Sequence, residues 1–222
     1  MSLFVAGTDT GVGKTLVSAL LVARYARELE LVYWKPVASG AATERDRTRV
    51  AELVPGAGTA AEAYLFADPV SPHLAARREG ESIELERIGA RWRELSSVFP
   101  GAGFVVEGAG GLLVPLNEDQ DSADLMSEMG LPVILVVGMR LGCLNHALLT
   151  VDAMKWRGLK LAGWVANVVD ADMAMLDENI AALRQRIEAP LLGIVPHQAQ
   201  PDAREAAKSL DLSLLEQAEA HD

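Results

Sequence analysis

Gly7-Thr8-Asp9-Thr10-Gly11-Val12-Gly13-Lys14-Thr15 is the segment of this chain whose residue types and spacing point most directly to chemistry. It lies between a short apolar run and a long amphipathic stretch, the strand–loop–helix setting of a phosphate loop. Glycines let backbone N–H groups turn inward around an anion, and a helix start adds a favourable dipole. Lys14 would reach the β- and γ-phosphates of a nucleotide as a point charge, and the Thr15 hydroxyl would ligate Mg2+. Five residues separate Gly7 from Gly13, one more than the ordinary motif has, and Thr8 stands where its first glycine would be. The loop is a variant. The bland alternative is a glycine-rich turn that binds nothing, and Gly-Lys-Thr directly after a strand weighs against it.

Other residues stand out by type and place. Only five of the 20 basic residues are lysines: Lys14, Lys35, Lys155, Lys160 and Lys208. Lys14 and Lys35 both fall where strands meet loops, the place where open parallel sheets bind ligands. Glu107 closes an otherwise apolar strand, where a carboxylate is costly without a partner. The glycines of Gly108-Ala109-Gly110-Gly111 permit close backbone approach to a ligand, although an ordinary tight turn would use them too. Gly142-Cys143-Leu144-Asn145 opens a helix, so its N–H groups can hold a carboxylate. Cys143 has no identifiable activating base and reads as a small buried residue. His73, His146, His197 and His221 show no metal-ligand spacing. Trp34 and Trp164 read as core, and Arg77 and Arg78 as a solvated helix face rather than a phosphate clamp.

These residues need a scaffold, and short apolar runs alternating with amphipathic stretches supply one. The strands are expected at 3–6, 31–34, 104–107, 133–137, 162–166 and 192–195. They are mostly unbroken apolar runs, as in strands covered on both faces. Helices are expected at 14–28, 45–53, 85–95, 145–156 and 173–187; Leu16, Leu20, Ala23 and Arg27 show the spacing of the first. The alternation predicts an α/β fold, a mostly parallel central sheet with helices on both faces. Residues 55–83 carry Pro55, Gly56, Gly58, Pro69 and Pro72 and read as a loop-rich insertion with short helices. No repeat or linker divides the chain, so residues 1–222 read as one domain whose tail after Pro201 is helical and then frayed.

Three further segments join the phosphate loop in a recognisable set. They are Lys35-Pro36-Val37-Ala38-Ser39-Gly40, Val106-Glu107-Gly108-Ala109-Gly110-Gly111 and Leu141-Gly142-Cys143-Leu144-Asn145-His146-Ala147. Together they closely resemble the dethiobiotin synthetases, single-domain P-loop NTPase-fold enzymes of biotin formation. The likeness runs from about residue 3 to residue 197 and takes in Ser71-Pro72-His73 and Gly163-Trp164-Val165-Ala166-Asn167. The phosphate loop with one extra residue is that family's form.

The resemblance implies a reaction in which ATP drives CO2 into a ring. One amine of 7,8-diaminononanoate (diaminopelargonate) forms a carbamate, which attacks the γ-phosphate to give a carbamic–phosphoric anhydride. The second amine then closes the ureido ring of dethiobiotin and expels phosphate. By resemblance, Gly11, Val12, Gly13, Lys14, Thr15 and Leu16 hold the nucleotide. Asn167 hydrogen-bonds the adenine with an amide that both donates and accepts, and Pro196 lines the same pocket. Lys35 contacts the carbamate, while Thr10 and Ser39 position the amines or the transferred phosphoryl group, so Lys14, Lys35, Thr10 and Ser39 form the catalytic set. Gly108, Ala109, Gly110 and Gly111 take the diamine. Gly142, Cys143, Leu144 and Asn145 reach the substrate carboxylate across a two-fold interface, which implies a homodimer. Thr15, Asp46 and Glu107 map onto the Mg2+ ligands; Glu44 is the alternative to Asp46, which lies between two arginines.

Composition narrows the competing readings. Lys plus Arg is 20 and Asp plus Glu is 31, a net charge of −11, which argues against nucleic-acid or anionic-membrane partners. One cysteine excludes an intrachain disulfide framework, and a cytoplasmic setting follows as the default. Cobyrinate-type amide synthases need a glutaminase domain for which this length leaves no room. Partition-type regulatory ATPases place a second lysine in the loop where Asp9 stands here. A non-catalytic binding module fits poorly with lysines, hydroxyls and a carboxylate at three strand ends.

Overall fold

The computed structural model describes residues 1–25, 30–40, 42–198 and 202–215, with backbone alone for 42–45. Nine strands and eight α-helices alternate along these residues. Seven strands form the central sheet: β1 (Ser2–Gly7), β2 (Leu31–Trp34), β4 (Gly58–Ala60), β6 (Gly103–Glu107), β7 (Val133–Met139), β8 (Leu161–Val168) and β9 (Leu191–Val195). Their spatial order is β4-β2-β6-β1-β7-β8-β9, and every neighbouring pair is parallel. All seven carboxyl ends therefore share one edge of the sheet. The chain leaves β1 toward β2 on one side and later returns to place β7 on the other. That reversal beside β1 makes the crevice in which open α/β sheets bind ligands.

The core explains why these strands read as apolar runs. Along β1, Phe4 and Ala6 face one layer and Leu3 and Val5 the other; along β2, Val32 and Trp34 oppose Leu31 and Tyr33. Alternating side chains point to opposite faces, and both faces are covered. On one side lie α1 (Lys14–Tyr25), α2 (Ala42–Leu53) and α8 (Ala203–Ala206), through Val17, Leu20, Leu21, Val50 and Ala206. On the other lie α3 (Pro72–Arg78), α4 (Leu85–Val98), α5 (Ser122–Met129), α6 (Cys143–Trp156) and α7 (Leu176–Arg184). Trp34 and Trp164 are fully buried on that side, as expected of core. No helix among the described residues is long and apolar enough to cross a membrane.

The expected strands and helices all occur, with ends shifted by a few residues. The insertion reading of 55–83 needs correction. It holds one short helix, α3, and two strands, β4 at the edge of the main sheet and β5 (Tyr64–Phe66). β5 pairs with β3 (Val37–Ser39) in a separate two-stranded parallel ribbon. Three-residue strands are too short to show a period, and the prolines beside them masked the pattern. The continuation of α1 to Glu28 with Arg27, the side chain of Glu44, Pro201, and the tail after 215 with His221 lie outside the described residues.

Candidate active site

Parallel strands set the site out in the order in which they lie. From β2 across to β9, the carboxyl ends carry Lys35, Glu107, the phosphate loop, Gly142–Asn145, Asn167 and Pro196. The loop itself turns at Gly11 and Gly13, whose φ values of 74° and 93° lie in the left-handed region. Only glycine takes that conformation without steric cost. Lys14, the first residue of α1, bends back so that its Nζ donates to Asp9 O at 2.9 Å and Gly110 O at 2.6 Å. The 108–111 turn thus lies against the phosphate loop. Burial lowers the Lys14 ammonium from 10.5 to about 8, with Glu107 opposing that effect and Lys35 adding to it.

Beside it is a cluster centred on Glu107, whose side chain is buried. Thr15 Oγ1 lies 3.0 Å from Glu107 Oε1 and 3.2 Å from Asp46 Oδ1. Lys35 Nζ bonds both carboxylates, Asp46 Oδ2 at 2.5 Å and Glu107 Oε1 at 3.1 Å. Burial works against the Lys35 charge, but Glu107 and Asp46 outweigh it and raise its pKa above the ordinary value. The neighbouring Arg47 pairs not with Asp46 but with Glu62, at 3.6 Å, while Asp46 faces Lys35. Among the described residues no group of three or more His, Cys, Asp or Glu side chains is placed to hold a metal. One hydroxyl and two carboxylates within hydrogen-bond reach fit Mg2+, which takes few protein oxygens and keeps its waters.

Comparison with known proteins decides the family. A profile described as an AAA domain matches residues 1–205. Over 218 residues the chain is 46% identical to ATP-dependent dethiobiotin synthetase BioD of Aromatoleum aromaticum, covering 94% of this chain and 96% of that protein. Over 221 residues it is 47% identical to the protein of the same name from Ralstonia nicotianae, covering 96% of each. The chain belongs to the dethiobiotin synthetase family. Among solved structures, the MinC:MinD cell division complex of Aquifex aeolicus superposes with a TM-score of 0.58 at 12% identity, covering 99% of this chain and 95% of that one. At that identity the likeness shows the fold alone.

The remaining dethiobiotin synthetase segments sit around the two lysines in different ways. Thr10 is exposed, and Gly110 (φ 64°) lies close to it. A side chain at Gly110 would collide with Val114, 2.8 Å from the Cβ position. Ser39 ends β3 and donates its hydroxyl proton to Val70 O at 2.7 Å, tying the ribbon to the approach to α3. Asn167 is buried within β8, and its Nδ2 donates to Val12 O at 2.8 Å, so it props the phosphate loop from the far side. Pro196 follows Val195, the register partner of Asn167. The Gly142–Asn145 turn is distant in character: Cys143 is buried, and the turn's own hydrogen bonds stay local, Cys143 N to Arg140 O and His146 N to Gly142 O. Arg140 pairs across the surface with Asp9 of the loop at 2.7 Å.

Arg77 and Arg78 are not a clamp on this site. Arg78 pairs with Asp68, and Arg77 lines a separate cleft of about 710 Å³ that also carries His73, Glu81, Glu84 and Glu118. Two residues escaped the reading of residue types. Tyr33 O–H donates to Glu107 Oε2 at 2.9 Å, and Ser18 O–H to the same oxygen at 3.3 Å. Both carried a signal. Ser18 is the polar exception one turn after Lys14 in an apolar helix, and a buried tyrosine hydroxyl needs a partner.

Proposed function

We propose that this chain catalyses ATP-dependent closure of the ureido ring on 7,8-diaminononanoate with CO2, giving dethiobiotin, ADP and phosphate. The near-full-length match to curated dethiobiotin synthetases carries the reading. The site geometry supports it: the buried Lys14, the half-buried Lys35 and a hydroxyl–carboxylate cluster share one sheet edge.

In this mechanism one amine attacks CO2 and loses a proton, giving a carbamate. A carbamate oxygen attacks the γ-phosphorus, and ADP departs. The second amine attacks the carbonyl carbon of the mixed anhydride and loses a proton, and the carbon–oxygen bond breaks so that phosphate leaves with the bridging oxygen. Each step brings anions together, so the cations must be in place beforehand. Lys14 serves the γ-phosphate, and Lys35 serves the carbamate. Thr10 and Ser39 orient the amines or the moving phosphoryl group, and residues 108–111 seat the diamine against the loop. Thr15, Asp46 and Glu107 would hold Mg2+, which supplies charge neutralisation at the phosphate oxygens. Gly11, Val12, Gly13 and Leu16 complete the nucleotide contacts with Pro196. Asn167, with its Nδ2 committed to Val12, offers Oδ1 to the adenine amine.

The carboxylate of the substrate reaches Gly142, Cys143, Leu144 and Asn145 of a second copy. Support for that homodimer comes from α6, where Leu149 and Trp156 lie seven residues apart on one helix face and are 59% and 84% exposed. Leu141, just before the helix, is 96% exposed. A small-molecule synthetase of this charge and cysteine content works in the cytoplasm. The test is incorporation of labelled bicarbonate carbon into dethiobiotin. Label should enter only with ATP, Mg2+ and diamine present. ATP hydrolysis that ignores the diamine, with no labelled product, would overturn the reading.

A further inference from the structure

Glu107 is held at both oxygens, and only one of them faces the chemistry described above. Oε1 meets Thr15 and Lys35, whereas Oε2 meets Tyr33 and Ser18. The fold brings these two hydroxyls there for a simple reason. Side chains alternate along strands, so Glu107 falls on the same face of β6 as Val105, the face toward α1. Tyr33 is the register partner of Val105 on β2 and shares that face, and Ser18 projects from α1. Tyr33 and Ser18 are fully buried, so neither hydroxyl can touch a substrate. What they can do is fix the plane of a carboxylate whose last torsion is otherwise broad.

We propose that Tyr33 and Ser18 are positioning residues that clamp Glu107 Oε2, hold Oε1 toward Thr15 and Asp46, and thereby set the affinity of the site for a divalent cation. Partners that orient a ligating carboxylate commonly change metal affinity by about ten- to a hundredfold when removed. The inference rests on the reading of Glu107 as a cation ligand, and the two can fail separately.

The experiment is a Mn2+ titration of the full chain with a non-hydrolysable ATP analogue, following free Mn2+ by electron paramagnetic resonance. Tyr33→Phe should weaken Mn2+ binding about tenfold and raise the Mg2+ concentration for half-maximal rate by a similar factor. Nucleotide affinity measured in EDTA should not move. Ser18→Ala, which removes the other donor on the same oxygen, should act in the same direction and serves if Tyr33→Phe does not fold. Wild-type Mn2+ affinity in either folded variant overturns the proposal, as does an equal loss of nucleotide affinity in EDTA. Glu107→Gln separates the two ideas. If it leaves Mn2+ affinity unchanged, the cation reading of Glu107 falls; if it weakens binding and the clamp variants do not, the clamp alone falls.

Discussion

Lys14 and Lys35 are two largely desolvated ammonium groups at one sheet edge, and their surroundings are opposite in kind. Lys14 is held by two backbone carbonyls, neutral dipoles, and feels the Glu107 carboxylate only at a distance. Lys35 sits between two carboxylates that compensate its charge in full. Burial is common to both, yet it wins at Lys14 and loses at Lys35. The lesson is that the phosphate loop holds a cation without a directly bonded counter-charge, ready for an incoming anion. The neighbouring pocket instead keeps a cation and its counter-charges together until ligands rearrange them.

The sharpest way to test that difference is to remove each cation in turn. Lys14→Ala and Lys35→Ala should each lower the rate of labelled dethiobiotin formation by on the order of 10³-fold or more. They should part company in nucleotide titrations, where Lys14→Ala loses binding and Lys35→Ala keeps it. Near-normal turnover in Lys35→Ala would end the assignment of that lysine to the carbamate. Next in size is the counter-charge. Glu107→Gln leaves Lys35 with Asp46 alone and should cost about 3 kcal/mol of stability in urea unfolding, as breaking a buried ion pair does.

The pH dependence of stability should show the two lysines moving in opposite directions. The Lys14 pKa is lowered on folding, so its penalty is fully present below about 8 and is relieved as pH rises toward 10.5. Without metal and nucleotide, wild-type protein should therefore gain on Lys14→Met over that window, by on the order of 3 kcal/mol. The Lys35 pKa is raised, so its contribution is present below 10.5 and is lost as pH climbs through the higher folded value. Urea unfolding of Lys35→Met beside wild type should show that opposite trend. Parallel curves would mean that the two pockets do not differ as described.

Smaller effects should stay on the phosphate-loop side. Asn167→Ala removes the prop under Val12 and should raise the KM for ATP about tenfold with little change in kcat. Arg140→Ala breaks an exposed pair with Asp9, worth no more than about 1 kcal/mol. It should shift the ATP KM by less than fivefold. A large effect there would show the loop to be held from its surface rather than from beneath.

Much of this contrast was legible in residue types. The six long strands stood out because strands buried on both faces are unbroken apolar runs. Glu107 stood out for the complementary reason, as a charge in such a run. The β3–β5 ribbon did not, because three residues carry no period. Helix α5, between the glycine turn and β7, is not among the expected helices, although Asp121 and Asp124 form a capping box at its start. Asp46 could be named only by resemblance, since its contacts with Thr15 and Lys35 depend on where α2 packs. Tyr33 was hidden by the apolar strand around it. Its role follows from the pairing of β2 with β6, which residue types alone do not specify.

The strand order also has a direction in time. Strands β1 to β6 come from the first 107 residues, and those in the main sheet make one contiguous half of it, β4-β2-β6-β1. Strands β7, β8 and β9 then extend the sheet in one direction, β7 beside β1 and β8 and β9 each beside the strand before it. As the polypeptide leaves the ribosome, Lys14, Lys35, Asp46 and Glu107 emerge together, while Asn167 and Pro196 are still to be made. A domain generally folds as a unit, so the site is complete only once β7, β8 and β9 have docked. The charged end of the site is thus synthesised first and waits for the base-binding end before it can work.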